Sequence, residues 1–236
     1  MTGAVRTRRR KCLARKGDGS RTRVMFEDRA EAGRQLATAL AGYKDERPVV
    51  LGLPRGGVAV AAEIAEALEA PLGLILVRKI GAPTRRELAL GAVVDGQDPC
   101  VVRNDDVIRA LGVNEATFDA ICRRELGEIE RRRRRYAGDA TRVDMAARVV
   151  IVVDDGIATG ATMRAALRAT RMRQPKKLVL AVPVAAPDAL DELRSEVDDL
   201  VCLISEEHLS AIGLFYVDFH QMSDAEVTEI LARFAS

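Results

Sequence analysis

A chain of 236 residues, 48% hydrophobic and 31% charged, holds enough apolar side chains for one packed domain, which excludes a disordered chain and a small disulfide-stapled scaffold. Aromatic residues make up only 3%, with no Trp, so the core has to be built from Val, Leu, Ile and Ala, a mixture suited to helices packed on a parallel sheet. The net charge of +2 conceals a division: residues 1–23 carry nine Lys/Arg and one acid, Asp18, whereas residues 24–236 carry 28 Lys/Arg against 34 acids, a net charge of −6.

Residues 1–23 are expected to be a disordered basic tail, because charge and Gly17-Asp18-Gly19-Ser20 leave little to bury. Residues 24–236 form the expected domain. Apolar positions at helical spacing predict a helix over 27–42, with Gly42 as its stop. The apolar run 48–53 predicts a strand, which ends in the Gly-rich turn Pro54-Arg55-Gly56-Gly57. A helix over 58–69 and a second strand over 72–77 complete a strand–helix–strand unit, the building block of a parallel sheet. Charge and turn residues over 78–92 predict a mobile loop, followed by a hairpin of 91–95 and 100–102. A charged helical insertion spans 104–137. The alternation then resumes with strand 148–153, helix 163–173, strand 178–184, helix 187–196 and strand 199–204. Ser223 and Glu226, three residues apart, predict a capping box at the start of a last helix, 223–234. The expected fold is α/β, a parallel sheet of about five strands flanked by helices, with an inserted helical cap. In such open sheets ligands bind beyond the carboxyl ends of the strands, which directs attention to the turns after strands 48–53 and 148–153.

Cys12, Cys100, Cys122 and Cys202 form no Cys-x-x-Cys pair and have no neighbouring His, which disfavours a zinc site or a disulfide framework and fits a reducing compartment. No apolar run approaches the roughly 18 residues that a membrane helix needs. A cytoplasmic location is therefore expected, with an organellar transit peptide as the alternative for the Arg-rich start.

The most informative stretch is the apolar strand Val149–Val153 followed by Asp154-Asp155-Gly156-Ile157-Ala158-Thr159-Gly160-Ala161-Thr162. A strand delivers two carboxylates to its end, and a loop of small and hydroxyl residues then opens a helix. Backbone N–H groups at a helix N-terminus suit a phosphate monoester, while carboxylates a few ångströms away suit hydroxyl donors. A phosphate together with a diol describes a ribose 5-phosphate. The bland alternative is an acidic strand end capping the next helix.

This block resembles the phosphoribosyl pyrophosphate (PRPP) signature of type I phosphoribosyltransferases: four apolar residues, two acids, two or three variable residues, then Thr-Gly-x-Thr. The resemblance implies that Asp154 and Asp155 bind the ribose 2- and 3-hydroxyls and that Ala158, Thr159, Gly160, Ala161 and Thr162 bind the 5-phosphate. Leu53-Pro54-Arg55-Gly56-Gly57 looks like the family's pyrophosphate loop, with a strained backbone, the Gly56 and Gly57 N–H groups and the Arg55 charge facing the leaving group; an ordinary strand–helix turn is the alternative. Arg78-Lys79 followed by Gly81 and Pro83 resembles the start of the flexible catalytic loop of adenine-type members, in which the basic pair reaches the pyrophosphate; a solvated basic turn is the alternative. The weaker resemblance extends over about residues 26–220.

Transfer from PRPP implies magnesium (Mg2+), held mainly by PRPP itself, with Asp154 and Asp155 reaching it indirectly through PRPP or water. Arg55, Arg78 and Lys79 would stabilise the departing pyrophosphate while a closing loop 80–91 excludes water. Glu87 in that loop is the candidate general base, with a surface ion pair to Arg85 or Arg86 as the alternative. The only histidines, His208 and His220, lie near the end, and no Gly-x-Ser-x-Gly motif is present. The third acid that serves 6-oxopurines in the family is replaced by Ala158, and strand 178–184 with its continuation lacks the Lys that reads a 6-oxo group, so hypoxanthine and guanine are disfavoured. Three of the eight aromatics lie in Phe215-Tyr216-Val217-Asp218-Phe219. Tyr216 could stack a base with Asp218 accepting from it, or the segment could pack into the core.

The expected function is transfer of 5-phosphoribose to a nucleobase or amine with release of pyrophosphate, within nucleotide metabolism. The alternative is a PRPP-binding regulator without turnover, with nucleic acid as a partner of the basic tail and Arg131–Arg135. Against that partner, Glu128 and Glu130 precede the Arg run at helical spacing and predict ion pairs on a solvated face. A further alternative is a domain whose relatives are fused to a hydrolase or kinase. Apolar helix faces make a homodimer an additional expectation.

Overall fold

The computed structural model describes residues 25–83, 85, 88–95, 99–136 and 143–234. The expected tail, residues 1–23, lies outside the described residues, as do Glu87 and the hairpin turn at 96–98.

Helix α1 (Arg29–Leu40) starts where the Asp28 carboxylate accepts the Glu31 backbone N–H. A 3-10 turn, Ala41–Glu46, continues it, so Gly42 is not a stop. Strand β1 (Val49–Gly52), helix α2 (Gly56–Leu68) and strand β2 (Leu72–Leu74) make the expected unit. Strands β3 (Val77–Gly81), β4 (Ala89–Val94) and β5 (Cys100–Arg103) follow, then helices α3 (Asp105–Ala110) and α4 (Glu115–Arg135). The rest is β6 (Val149–Val153), α5 (Ala161–Met172), β7 (Lys177–Ala185), α6 (Pro187–Arg194), β8 (Asp199–Ser205) and α7 (Asp224–Ala232). The Ser223–Glu226 capping box is formed in both directions.

Five strands make one sheet in the order β2-β1-β6-β7-β8, and every neighbouring pair is parallel. Side chains alternate across it, as strand geometry requires. Val50, Ile151 and Val179 face Leu36, Leu40 and Ile64 of α1 and α2. Val150, Val152, Leu178 and Leu180 face Met163, Ala166 and Leu167 of α5 and Leu193 of α6. With both faces covered, the strands are near-continuous apolar runs, each fully buried Val or Leu contributing about 1.5–3 kcal/mol.

Two further expectations are corrected. The apolar run 72–77 does not form one strand: Ile75 and Leu76 are buried where the chain leaves the main sheet, and β3 begins a second sheet, β3-β4-β5, that is wholly antiparallel. Residues 78–92 are not a loop throughout. Arg78 and Lys79 lie within β3, because Ile80 and Leu90 are fully buried and anchor β3 and β4 under α4. The insertion is two helices, separated where Gly112 adopts φ +61° and the Asn114 side chain caps α4 by accepting the Thr117 N–H.

Candidate functional site

From β1 the chain moves outward to β2 on one side, and from β6 it moves to β7 on the other. Their shared carboxyl end is therefore the switch point of the sheet, where a crevice opens. Past the paired residues Gly52 and Val153, Leu53 N–H still donates to the Val153 carbonyl at 3.0 Å, which brings the two following turns together.

They meet at van der Waals distance. A Cβ built on Gly56 would stand 1.8 Å from Asp155 Oδ2, and one on Gly57 would stand 2.8 Å from the Asp154 Cα. Only glycine admits the acid pair here. The Pro54–Arg55 peptide is cis.

Asp154 Oδ1 accepts the Asp155 N–H at 2.9 Å. Burial first, and then the Asp155 charge beside it, raise the Asp154 carboxyl well above the usual range. Asp155 Oδ2 accepts from Arg29 Nε at 2.8 Å, the two side chains being 10% and 16% exposed with Arg29 named first. Arg29 also donates from Nη1 to the His220 carbonyl at 3.0 Å and lies 3.9 Å from the centroid of Phe219. The Asp155 carbonyl accepts the Tyr216 hydroxyl at 2.6 Å.

Tyr216 is consequently not an open stacking platform, which corrects the acceptor assignment. Its ring is buried, with centroids of Phe26 and Phe219 at 5.4 and 4.9 Å, and burial pushes its phenol up. Asp218 is exposed and accepts from the His220 backbone N–H at 3.0 Å, with the His220 ring at 3.2 Å.

On the other side of the acid pair, Gly160 takes φ +73° and α5 begins without a side-chain cap. Ala158, Thr159, Ala161 and Thr162 are exposed around that helix start, an arrangement able to cradle a phosphate. Ala161 and Thr162 share a groove of about 660 Å³ with Lys79, Gly91, Arg103 and Arg168. A narrower cleft is lined by Leu53, Pro54, Arg78, Ile129, Arg132 and Thr162. Arg78 is also held by Glu125 of α4, Nε and Nη2 lying 3.0 and 2.9 Å from Oε2. Arg55 is close enough to Tyr136 and Asp224 for its charge to act on both. The switch point thus gathers Arg55, Gly56, Gly57, Asp154, Asp155 and the 158–162 loop, with Arg78 and Lys79 on the facing sheet.

Sequence reasoning missed Arg29, although a signal was present. It occupies the first turn of α1, where the helix dipole disfavours a cation, a placement that points to a partner outside the helix.

This is an open α/β domain with a polar crevice at its switch point, lined by an acid pair, a helix start and basic side chains. Residues 27–220 match the family model described as the phosphoribosyl transferase domain, and the chain belongs to that family. Two curated relatives, "Putative phosphoribosyl transferase Rv0571c" of Mycobacterium tuberculosis strain H37Rv and its counterpart MT0597 in strain CDC 1551, are each 44% identical over 209 residues, 89% of this chain. The chain spans about half of their length, 47%. The solved structure of TT1426 from Thermus thermophilus is 40% identical and superposes with a TM-score of 0.81, covering 90% of this chain and all of that one.

Proposed function

We propose that the domain binds PRPP and transfers its 5-phosphoribosyl group to a small nitrogenous acceptor, a nucleobase or amine, with release of pyrophosphate. The observation that carries this reading is the seating of Gly56 and Gly57 directly on Asp155 and Asp154 beside the uncapped start of α5. A ribose 5-phosphate fits it, with the 5-phosphate on Ala158–Thr162 and the 2- and 3-hydroxyls donating to the acid pair. The pyrophosphate then projects toward the Gly56 and Gly57 backbone, Arg55 and Lys79.

In the reaction the C1–oxygen bond breaks, its electron pair departs on pyrophosphate, and the acceptor nitrogen bonds to C1 and afterwards loses its proton. Positive charge gathers on the ribose ring meanwhile, so the protein's work is to hold the sugar, stabilise the leaving group and exclude water. Glu87 remains the proposed base on sequence grounds, and Asp218 the proposed acceptor contact. Magnesium fits as the companion of PRPP. Among the described residues no cluster of three or more His, Cys, Asp or Glu could hold a metal, and Mg2+ commonly takes its oxygens from substrate phosphates, water and one or two carboxylates. Asp154 and Asp155 would hold it through water, and when bound it neutralises charge on the leaving group. Among the described residues no helix is long and apolar enough to cross a membrane.

Calorimetric titration with magnesium and PRPP tests the reading. Wild type should bind, and Asp154→Asn with Asp155→Asn should abolish binding; unchanged affinity in the double variant overturns the assignment. Pyrophosphate release against a panel of bases and amines then identifies the acceptor, whereas binding without turnover for any of them favours a regulator.

A further inference from the structure

Five consecutive arginines close helix α4, and the simplest account is a solvated face. Arg131 and Arg132 bond Glu128, Arg133 and Arg134 bond Glu130, and Arg135 bonds Asp224. That account leaves out the inward face of the helix. Phe118, Cys122, Glu125 and Ile129 are all buried, and Arg132 continues the same stripe at spacings of three and four residues. A carboxylate in such a stripe needs a strong reason to be there, because an unpaired buried charge is costly. Glu125 has one: Oε2 accepts from Arg78 at 3.0 Å, and Oε1 accepts twice from Arg124, at 2.9 and 3.1 Å.

We propose that α4 builds the far wall of the pyrophosphate site, with Arg132 as a direct anion contact and Glu125 as the residue that positions Arg78. This rests on the phosphoribosyl-transfer reading and extends its leaving-group site onto the inserted helix. Arg132 lines the cleft that also holds Pro54, Arg78 and Thr162, between the Gly-rich turn and the phosphate loop. Its bond to Glu128 is a single one at 3.3 Å, whereas Arg131 makes two to that carboxylate at 2.9 and 2.7 Å, so Arg132 is the more loosely held of the pair. The helix end that carries it is fixed rather than frayed. Tyr136, one turn further, is buried and donates to Asp224 of α7 at 2.6 Å, and Arg135 bonds the other oxygen of that carboxylate. The cleft is narrow, about 30 Å³, so an entering pyrophosphate requires the Arg132 side chain to turn while Arg78 stays on Glu125. The 37% exposure of Arg132 leaves room for that rotation.

The test is calorimetric titration of the full chain with magnesium and PRPP, with magnesium and inorganic pyrophosphate, and with ribose 5-phosphate. Arg132→Ala should weaken PRPP and pyrophosphate by about tenfold, the value of one charge-assisted hydrogen bond, and leave ribose 5-phosphate within about twofold. Arg132→Lys should recover part of the loss, and Arg134→Ala, on the exposed face, should change nothing. Glu125→Gln should likewise weaken the two pyrophosphate-bearing ligands and spare ribose 5-phosphate. Equal weakening of all three ligands in either variant means a structural role and overturns the proposal, as does wild-type affinity for PRPP in Arg132→Ala. If wild type binds neither PRPP nor ribose 5-phosphate, the functional reading itself fails, and this proposal with it.

Discussion

The most demanding consequence of the structure concerns Arg29. Its guanidinium is the cation set against a pair of adjacent carboxylates, and the ion pair with Asp155 is nearly dry, at 10% and 16% exposure. Replacing Arg29 with Met keeps most of the buried stem and removes the charge, the bond to the His220 carbonyl and the contact with Phe219. Stranding one partner of a buried pair costs about 3–5 kcal/mol, and a partly desolvated cation–π contact adds about 1 kcal/mol. We expect Arg29→Met to lose about 4 kcal/mol in urea unfolding with the m-value unchanged. Most of that loss is the unpaired Asp155 charge. Adding Asp155→Asn should therefore restore about 2 kcal/mol or more, a non-additivity expected for groups in direct contact. A loss below about 1 kcal/mol in Arg29→Met, or a second substitution that deepens the loss, would refute the electrostatic account and leave Arg29 as a packing residue.

Gly56→Ala should destabilise the fold by about 1–3 kcal/mol and remove PRPP binding, because its Cβ would stand 1.8 Å from Asp155 Oδ2 and the carboxylate must move; paired urea unfolding and calorimetry check both, and a variant that binds normally contradicts the close packing of the two turns. The Asp154 carboxyl gives a pH dependence with a definite sign. Its native value lies above the ordinary 3.8, so its contribution to stability is complete below 3.8 and is lost as pH rises through the native value. Asp154→Asn should accordingly gain on wild type in urea unfolding as pH is raised above about 4, whereas a difference independent of pH would show that the surroundings do not raise the Asp154 carboxyl.

What the sequence made legible follows from how each segment is buried. Val49–Gly52 and Val149–Val153 are covered on both faces, so they are uninterrupted apolar runs followed by turn residues, and the strands and the two turns could be placed. The same property hid a boundary at Leu74–Val77, where one apolar run serves two sheets and the crossing residues Ile75 and Leu76 are themselves buried. The hairpin of β4 and β5 was legible, but strand β3 and the start of β4 were obscured by charge. Arg78 is neutralised by Glu125, a residue 47 positions away, and the apolar anchors are spread thinly along the segment. Arg29 and Tyr216 were missed as parts of the acid site for a related reason. Their partners, Asp155 Oδ2 and the Asp155 carbonyl, lie 126 and 61 residues away, and the one local sign, a cation in the first turn of α1, does not say which residue it meets.

The two motifs that did stand out are a single constraint imposed by the sheet. Because Gly52 and Val153 are register partners on neighbouring parallel strands, the residues just beyond them emerge side by side. An acid pair at the end of β6 can exist at that distance only if the turn after β1 presents glycine, and Gly56 and Gly57 leave space for Asp155 and Asp154 that any Cβ would occupy. The glycines thus serve the carboxylates as well as any leaving group they face. The carboxylates in turn are tolerated because Arg29 neutralises one and the Asp155 N–H donates to the other. Arg29 is anchored by the His220 carbonyl and Phe219, in the segment that follows the last strand. The crevice is therefore fixed by the first helix, both Gly-containing turns and the chain after β8 together, and a change at any of the four should be felt at the acid pair.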